Sequence, residues 1–102
     1  MAIYQSKFSA LQAQAGAGGG TQTGLLVGTI NGINTVFTLP GGAKTNTAED
    51  VRPFVNGDRM NEGSGNDFVA SESGGPSTGF DTVTFLFAPK VGDILIVDFI
   101  PL

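Results

Sequence analysis

Among its 102 residues the chain has no cysteine, no histidine and no tryptophan. The missing cysteine excludes disulfides and thiolate metal sites. With histidine missing too, no Ser–His or Cys–His nucleophilic pair can form, and the usual zinc ligands are gone. Charge is also scarce. Charged residues make up 14% of the chain, against about a quarter in an ordinary soluble domain. The cations Lys7, Lys44, Arg52, Arg59 and Lys90 are scattered. They cannot build the basic stripe that phosphate neutralisation needs, so no nucleic-acid partner is expected. No apolar run approaches the roughly eighteen residues of a membrane span, so no membrane partner is expected. The opening Met1-Ala-Ile-Tyr-Gln-Ser-Lys7 lacks the charged start and apolar run of a secretory signal.

What remains is an acidic, moderately apolar chain with net charge -4 and 40% hydrophobic residues. Its length fits one small domain with a modest core. Stability must come from packing or from oligomerisation. A low-charge exterior is either Ser/Thr/Asn/Gly surface or surface that another subunit covers.

Residues 1–14 form a first unit whose sizeable apolar side chains are Ile3, Tyr4, Phe8 and Leu11. The spacing of Tyr4, Phe8 and Leu11 suits one helical face. The unit is too short to be stable as a free helix. Residues 15–22, mostly Gly and Ala, form a flexible linker. The unit is thus either a solvated tail or a docking arm, extended or briefly helical, that orders on a partner surface.

Residues 23–102 read as the domain proper. Leu25–Ile30 and Thr35–Leu39 read as strands around Asn31-Gly32, a strong hairpin signal. Val51–Val55 reads as a strand, with Pro53 placing it at an edge or bulge. Asn56-Gly57 is a second turn, and Asp67–Ala70 a short strand. Residues 71–79 form a loop without an apolar residue. Asp81–Phe87 and Asp93–Ile100 are the two densest strands. Short strands with regular turn signals predict an all-β fold, a small antiparallel β-sandwich or barrel-like domain. Its expected core is Phe37, Leu39, Phe54, Val83, Phe85 and Phe87. The final strand is apolar on both faces, as in a sandwich centre or at a subunit interface. On the second reading, Leu95, Val97 and Phe99 face another subunit, and Asp98 needs a partner or water.

Catalytic chemistry has little to work with, and no enzyme activity or cofactor is expected. Two-carboxylate hydrolysis needs acids converging across a groove, and Glu49-Asp50 are sequence neighbours in a loop. The loop Asn56–Asp67 is rich in oxygen ligands of the kind calcium takes. Its spacing does not match a calcium-loop register, and its Asn, Asp and Gly suit turn geometry. Asp93, after Gly92, is expected to close a turn with Lys90 by bonding backbone amides.

One ordered series of motifs carries a resemblance. It comprises Asn31-Gly-Ile-Asn34, Phe37-Thr-Leu39, Phe54-Val-Asn-Gly57, Asp67-Phe68, Thr84-Phe85, Ala88-Pro89, Gly92-Asp93 and Val97-Asp-Phe99. Over about residues 28–99 the series resembles a module of tailed-bacteriophage virion structural proteins. Such modules are β-sandwiches of fibres, head appendages and decoration proteins. The resemblance implies a component of the virion, partnered by its own copies as a homotrimer and by the major capsid protein or other virion proteins. Capsid decoration on the outer surface of the head is the role expected. A neck, tail or baseplate attachment protein, the foot of a fibre, is the alternative. A carbohydrate-binding module is more remote, because sugar platforms usually expose aromatics and the only Tyr or Trp here is Tyr4.

Overall fold

Seven strands are present among residues 20–102, which the computed structural model describes. They are β1 (Gln22–Leu25), β2 (Val36–Thr38), β3 (Val51–Val55), β4 (Asp58–Arg59), β5 (Phe68–Ser71), β6 (Thr82–Phe85) and β7 (Leu95–Phe99). Two single-turn 3-10 helices, Pro40–Gly42 and Ala48–Asp50, lie between β2 and β3. The arm, with Ile3, Tyr4, Phe8 and Leu11, and the first part of the linker lie outside the described residues.

The strands form two antiparallel sheets, ordered β1-β7-β3-β4 and β2-β6-β5. Two junctions join them. Past the end of β1, Val27 exchanges two backbone hydrogen bonds of 2.9 Å with Thr38 of β2. Past β4, Glu62 lies in parallel register with Phe68 of β5, and the Gly63 amide donates to the Phe68 carbonyl at 2.8 Å. The strands therefore run in a ring, so the all-β domain is a sandwich whose sheets meet at both sides. A third clip is the fully buried Thr45. It exchanges two 2.8 Å backbone bonds with Phe80 and lies in bridge register with Pro101.

The core follows the period-two alternation of strands. Val51, Pro53, Val55, Leu95, Val97 and Phe99 point inward from the four-stranded sheet. Phe37, Phe68, Ala70, Val83 and Phe85 meet them from the other sheet, with Leu26 and Leu39 beside them. The Phe37 and Phe85 rings pack edge to face, 5.7 Å between centroids.

Several expectations are corrected by this arrangement. Leu95, Val97 and Phe99 are buried in the domain's own core, so their side chains are not open to another subunit. The reason is topological: β7 lies between β1 and β3, and its odd-numbered face meets the second sheet. Its outward face holds Ile96 and Asp98 instead. Second, Phe54 lies outside the core, on that same outward face, because Val51, Pro53 and Val55 take the inward positions of β3. Third, Phe87 is exposed, resting on Phe85 at 5.1 Å between centroids. The ladder ends at Phe85, so alternation no longer governs Phe87. Fourth, Asn31-Gly32 is not a two-residue hairpin. β1 pairs with β7 and β2 with β6, and only the Val27–Thr38 bridge joins β1 to β2.

Pro53 lies in an interior strand, not at an edge. Its carbonyl accepts from the Met60 amide at 3.0 Å, so its donorless nitrogen also faces the β4 side. In an antiparallel ladder both main-chain groups of a residue point to one neighbour. The missing donor therefore leaves the β3–β7 ladder intact and coincides with the end of the two-residue β4.

Candidate interaction surface

Three connections gather at one end of the sandwich: the β1–β2 loop, the Asn56-Gly57 turn and the β6–β7 loop. They are stapled together largely by short polar side chains. The Asn31 side-chain oxygen accepts from the amides of Ile33 (2.9 Å) and Asn34 (2.8 Å). The Asn34 amide group donates to the carbonyls of Thr29 (3.1 Å) and Val36 (3.0 Å). These bonds replace ladder pairing, and leave Ile33 at the tip. The Gly32 amide reaches the Pro89 carbonyl at 2.9 Å, tying the first loop to the third. Gly28 is required on this path, since an added Cβ would fall 2.5 Å from the Phe37 ring.

The turn is tied to the third loop in the same manner. Asn56 (φ 52°) and Gly57 (φ 88°) both take left-handed backbone, the geometry of a tight hairpin. Asn56 Nδ2 donates to Asp93 Oδ1 at 3.0 Å, and Asn56 Oδ1 accepts from the Ile94 amide at 2.8 Å. Asp93 Oδ2 accepts from the Lys90 amide at 2.8 Å, which closes the expected Lys90–Asp93 turn. The Asn56 hydrogen bond, then the Lys90 amide, hold the Asp93 carboxyl below the usual range. A further bond, from the Leu86 amide to the Asp67 carbonyl at 2.9 Å, ties in the start of β5.

This polar frame presents apolar side chains. Ile33, Leu86, Phe87, Val91 and Ile94 are exposed on its loops, with Ile33 at 82% and Val91 at 80%, while Val27 is exposed at the β1–β2 junction. Leu25 and Val36 are exposed at the adjoining strand ends. Of the large exposed apolar residues described, Leu102 alone lies at the opposite end. A loop end whose turns are cross-linked by hydrogen bonds and which exposes several large apolar side chains has the properties of a contact surface.

The other candidates are less favourable. The loop of residues 71–79 is pinned by its own carboxylates. Glu72 accepts from the amides of Ser77 (3.3 Å) and Gly79 (2.9 Å). Asp81 accepts from the Ser73 hydroxyl (2.5 Å) and amide (2.9 Å), from Lys44 Nζ (3.0 Å) and from the Thr82 hydroxyl (3.0 Å). Burial alone would raise its pKa, but these bonds outweigh burial and hold the carboxyl well below the ordinary range. A depression of about 310 Å³ beside this loop is lined by Asn46, Glu72, Ser77, Gly79, Phe80 and Leu102, and its acid is already satisfied by backbone amides. In the Asn56–Asp67 loop, Asp67 Oδ2 accepts from the Asn61 amide (2.8 Å) and Asn66 donates to the Glu62 carbonyl (3.0 Å). These are turn roles. Asp98 accepts from the Thr23 hydroxyl at 2.6 Å, across from Arg52 in register. Among the described residues, no group of three acids gathers as metal ligands would.

The fold and this surface define a class: a small all-β sandwich, closed into a ring of strands, with a stapled apolar loop end. Comparison of the chain with protein-family models, with curated proteins and with solved structures returned no match.

Proposed function

We propose that the protein is a non-enzymatic structural component of a tailed-phage particle, a decoration protein that binds the outside of the head shell as a homotrimer. One observation carries the reading. Many of the motif residues that resemble virion modules meet at one end of the sandwich. Asn31, Gly32, Asn34, Asn56, Gly57, Asp67, Pro89 and Asp93 take part in its turns and staples. There they hold Ile33, Leu86, Phe87 and Val91 outward. A conserved chemistry is not needed for such a role; a stiff apolar end is. Burial against the shell contributes roughly 25 cal/mol per Å² of apolar surface, offset by the loss of freedom on association. Repetition over many sites strengthens the whole.

The test is the stoichiometry of this protein against the major capsid protein in purified particles. Comparable amounts are expected. A few copies per particle would move the protein to the neck, tail or baseplate, and none would end the virion reading.

A further inference from the structure

The outward face of the four-stranded sheet is unpartnered in the described residues, and one row across it is apolar, with Leu25 exposed and Ile96 and Phe54 half-buried. Registers place Leu25, Ile96, Phe54 and Arg59 in one row across β1, β7, β3 and β4. The next row is Thr23, Asp98 and Arg52. Leu25 is 63% exposed, and Ile94 stands exposed just before β7. Three large apolar side chains in line form a stripe on a sheet that is already apolar inside. Neither Arg52 nor Arg59 has an ion-pair partner among the described residues, where Lys44–Asp81 is the pair present.

The chain that leads into β1 carries the matching chemistry. Ile3, Tyr4, Phe8 and Leu11 are apolar or aromatic, and Lys7 is the only charged side chain before Lys44. Such a segment meets little repulsion from two arginines, and its aromatic rings suit guanidinium faces. Attachment favours the same molecule. Residues 12–21 join Leu11 to β1, an edge strand of this very sheet. Extended, they reach roughly 33 Å, whereas β1 and β3 are only about 10 Å apart. The run Gly18-Gly-Gly20 permits the reversal. A short flexible tether also raises the effective concentration of the segment over its own face to about the millimolar range.

We propose that residues 3–11 dock on the outward face of the four-stranded sheet of their own domain, over Leu25, Ile96 and Phe54. The arm is then an intramolecular cover for an apolar stripe. This inference does not depend on the virion reading.

The chain provides its own probe, since Tyr4 is the only tyrosine and there is no tryptophan. The experiment is acrylamide quenching of tyrosine fluorescence in the full-length protein, over a wide range of protein concentration. Partial protection of Tyr4, unchanged with concentration, is expected. Leu25→Asp, on the sheet, and Phe8→Asp, in the arm, should each abolish it. The arm variant preserves the test if the sheet variant fails to fold. Tyr4 as accessible in the native protein as in denaturant overturns the proposal. Protection that grows with concentration also overturns it, because the seat would then be on a second copy.

Discussion

Phe85 shows how much one side chain decides. It is 2% exposed and touches the rings of Phe37 and Phe87. Phe85→Ala should cost about 3–5 kcal/mol in denaturant unfolding; a loss below about 1 kcal/mol would mean the site collapses freely. Asp81 and Asp93 both bear on acid stability. Both carboxyls have folded-state pKa values below the ordinary one. The stability they contribute is therefore fully present above the unfolded value, about 3.9, and is lost as pH falls through the folded values. Melting temperature should be flat with respect to these groups above about pH 5 and drop below pH ~4. Asp81→Asn should shrink that drop, and an unchanged acid profile would remove Asp81 as its source. Ile33 and Val91 project from the loop end with little packing to lose. Ile33→Asp and Val91→Asp should leave melting nearly unchanged, within about 0.5 kcal/mol, yet weaken binding to particles. Unimpaired decoration by both variants would take the contact away from this end.

At the scale of elements, a connection here depends on its staples more than on its turn residues. Asn56 joins the β3–β4 turn to the β6–β7 loop by two side-chain bonds while holding φ 52° itself. Asn56→Ala should therefore cost more than a surface substitution, about 1–3 kcal/mol, because it strands a carboxylate partner and strains the backbone. Equilibrium unfolding measures this, and Asn56→Gly should recover the conformational part only. The same distinction explains what was legible in the sequence. The later strand segments, the Asn56-Gly57 turn and the Lys90–Asp93 turn could be read because local propensity and local geometry agree there. The strand expected over Leu25–Ile30 is misplaced, since the first strand is Gln22–Leu25 and the chain beyond it keeps only the Val27 bridge. Phe37, Leu39, Val83 and Phe85 could be read as core because they alternate within strands. Phe54 could not be placed, since Val51, Phe54 and Val55 are all apolar and topology alone selects the face. Leu95, Val97 and Phe99 were open to either reading for the same reason. The pairing of β1 with β7 is set by contacts far apart in sequence, which Asn31-Gly32 could not reveal. The loop end was missed as a site, although Ile33 and Val91, apolar residues within polar turns, were its one visible signal.

At the scale of the whole molecule, one broad face of the described residues carries no charged side chain. The outward rows of the three-stranded sheet are Val36–Thr84–Val69 and Thr38–Thr82–Ser71. With Leu95, Val97 and Phe99 enclosed, this is where the proposed homotrimer has a low-charge surface to use. Sedimentation at micromolar concentration should show trimers, and Thr84→Arg should shift them to monomers. A monomer throughout the range would remove the homotrimer. The pairing of Gln22 with Phe99 has a mechanical consequence as well. The first and last strands are antiparallel neighbours, and both leave the domain at the end opposite the stapled loops. Tension applied between these two chain ends opens the β1–β7 ladder one bond at a time, like a zip. Tension applied between the arm and the loop end instead pulls β1 along its own axis and loads the whole ladder at once, in shear. The β1–β7 pair should therefore yield at a lower force when the two ends are parted than when β1 is pulled against the loop end.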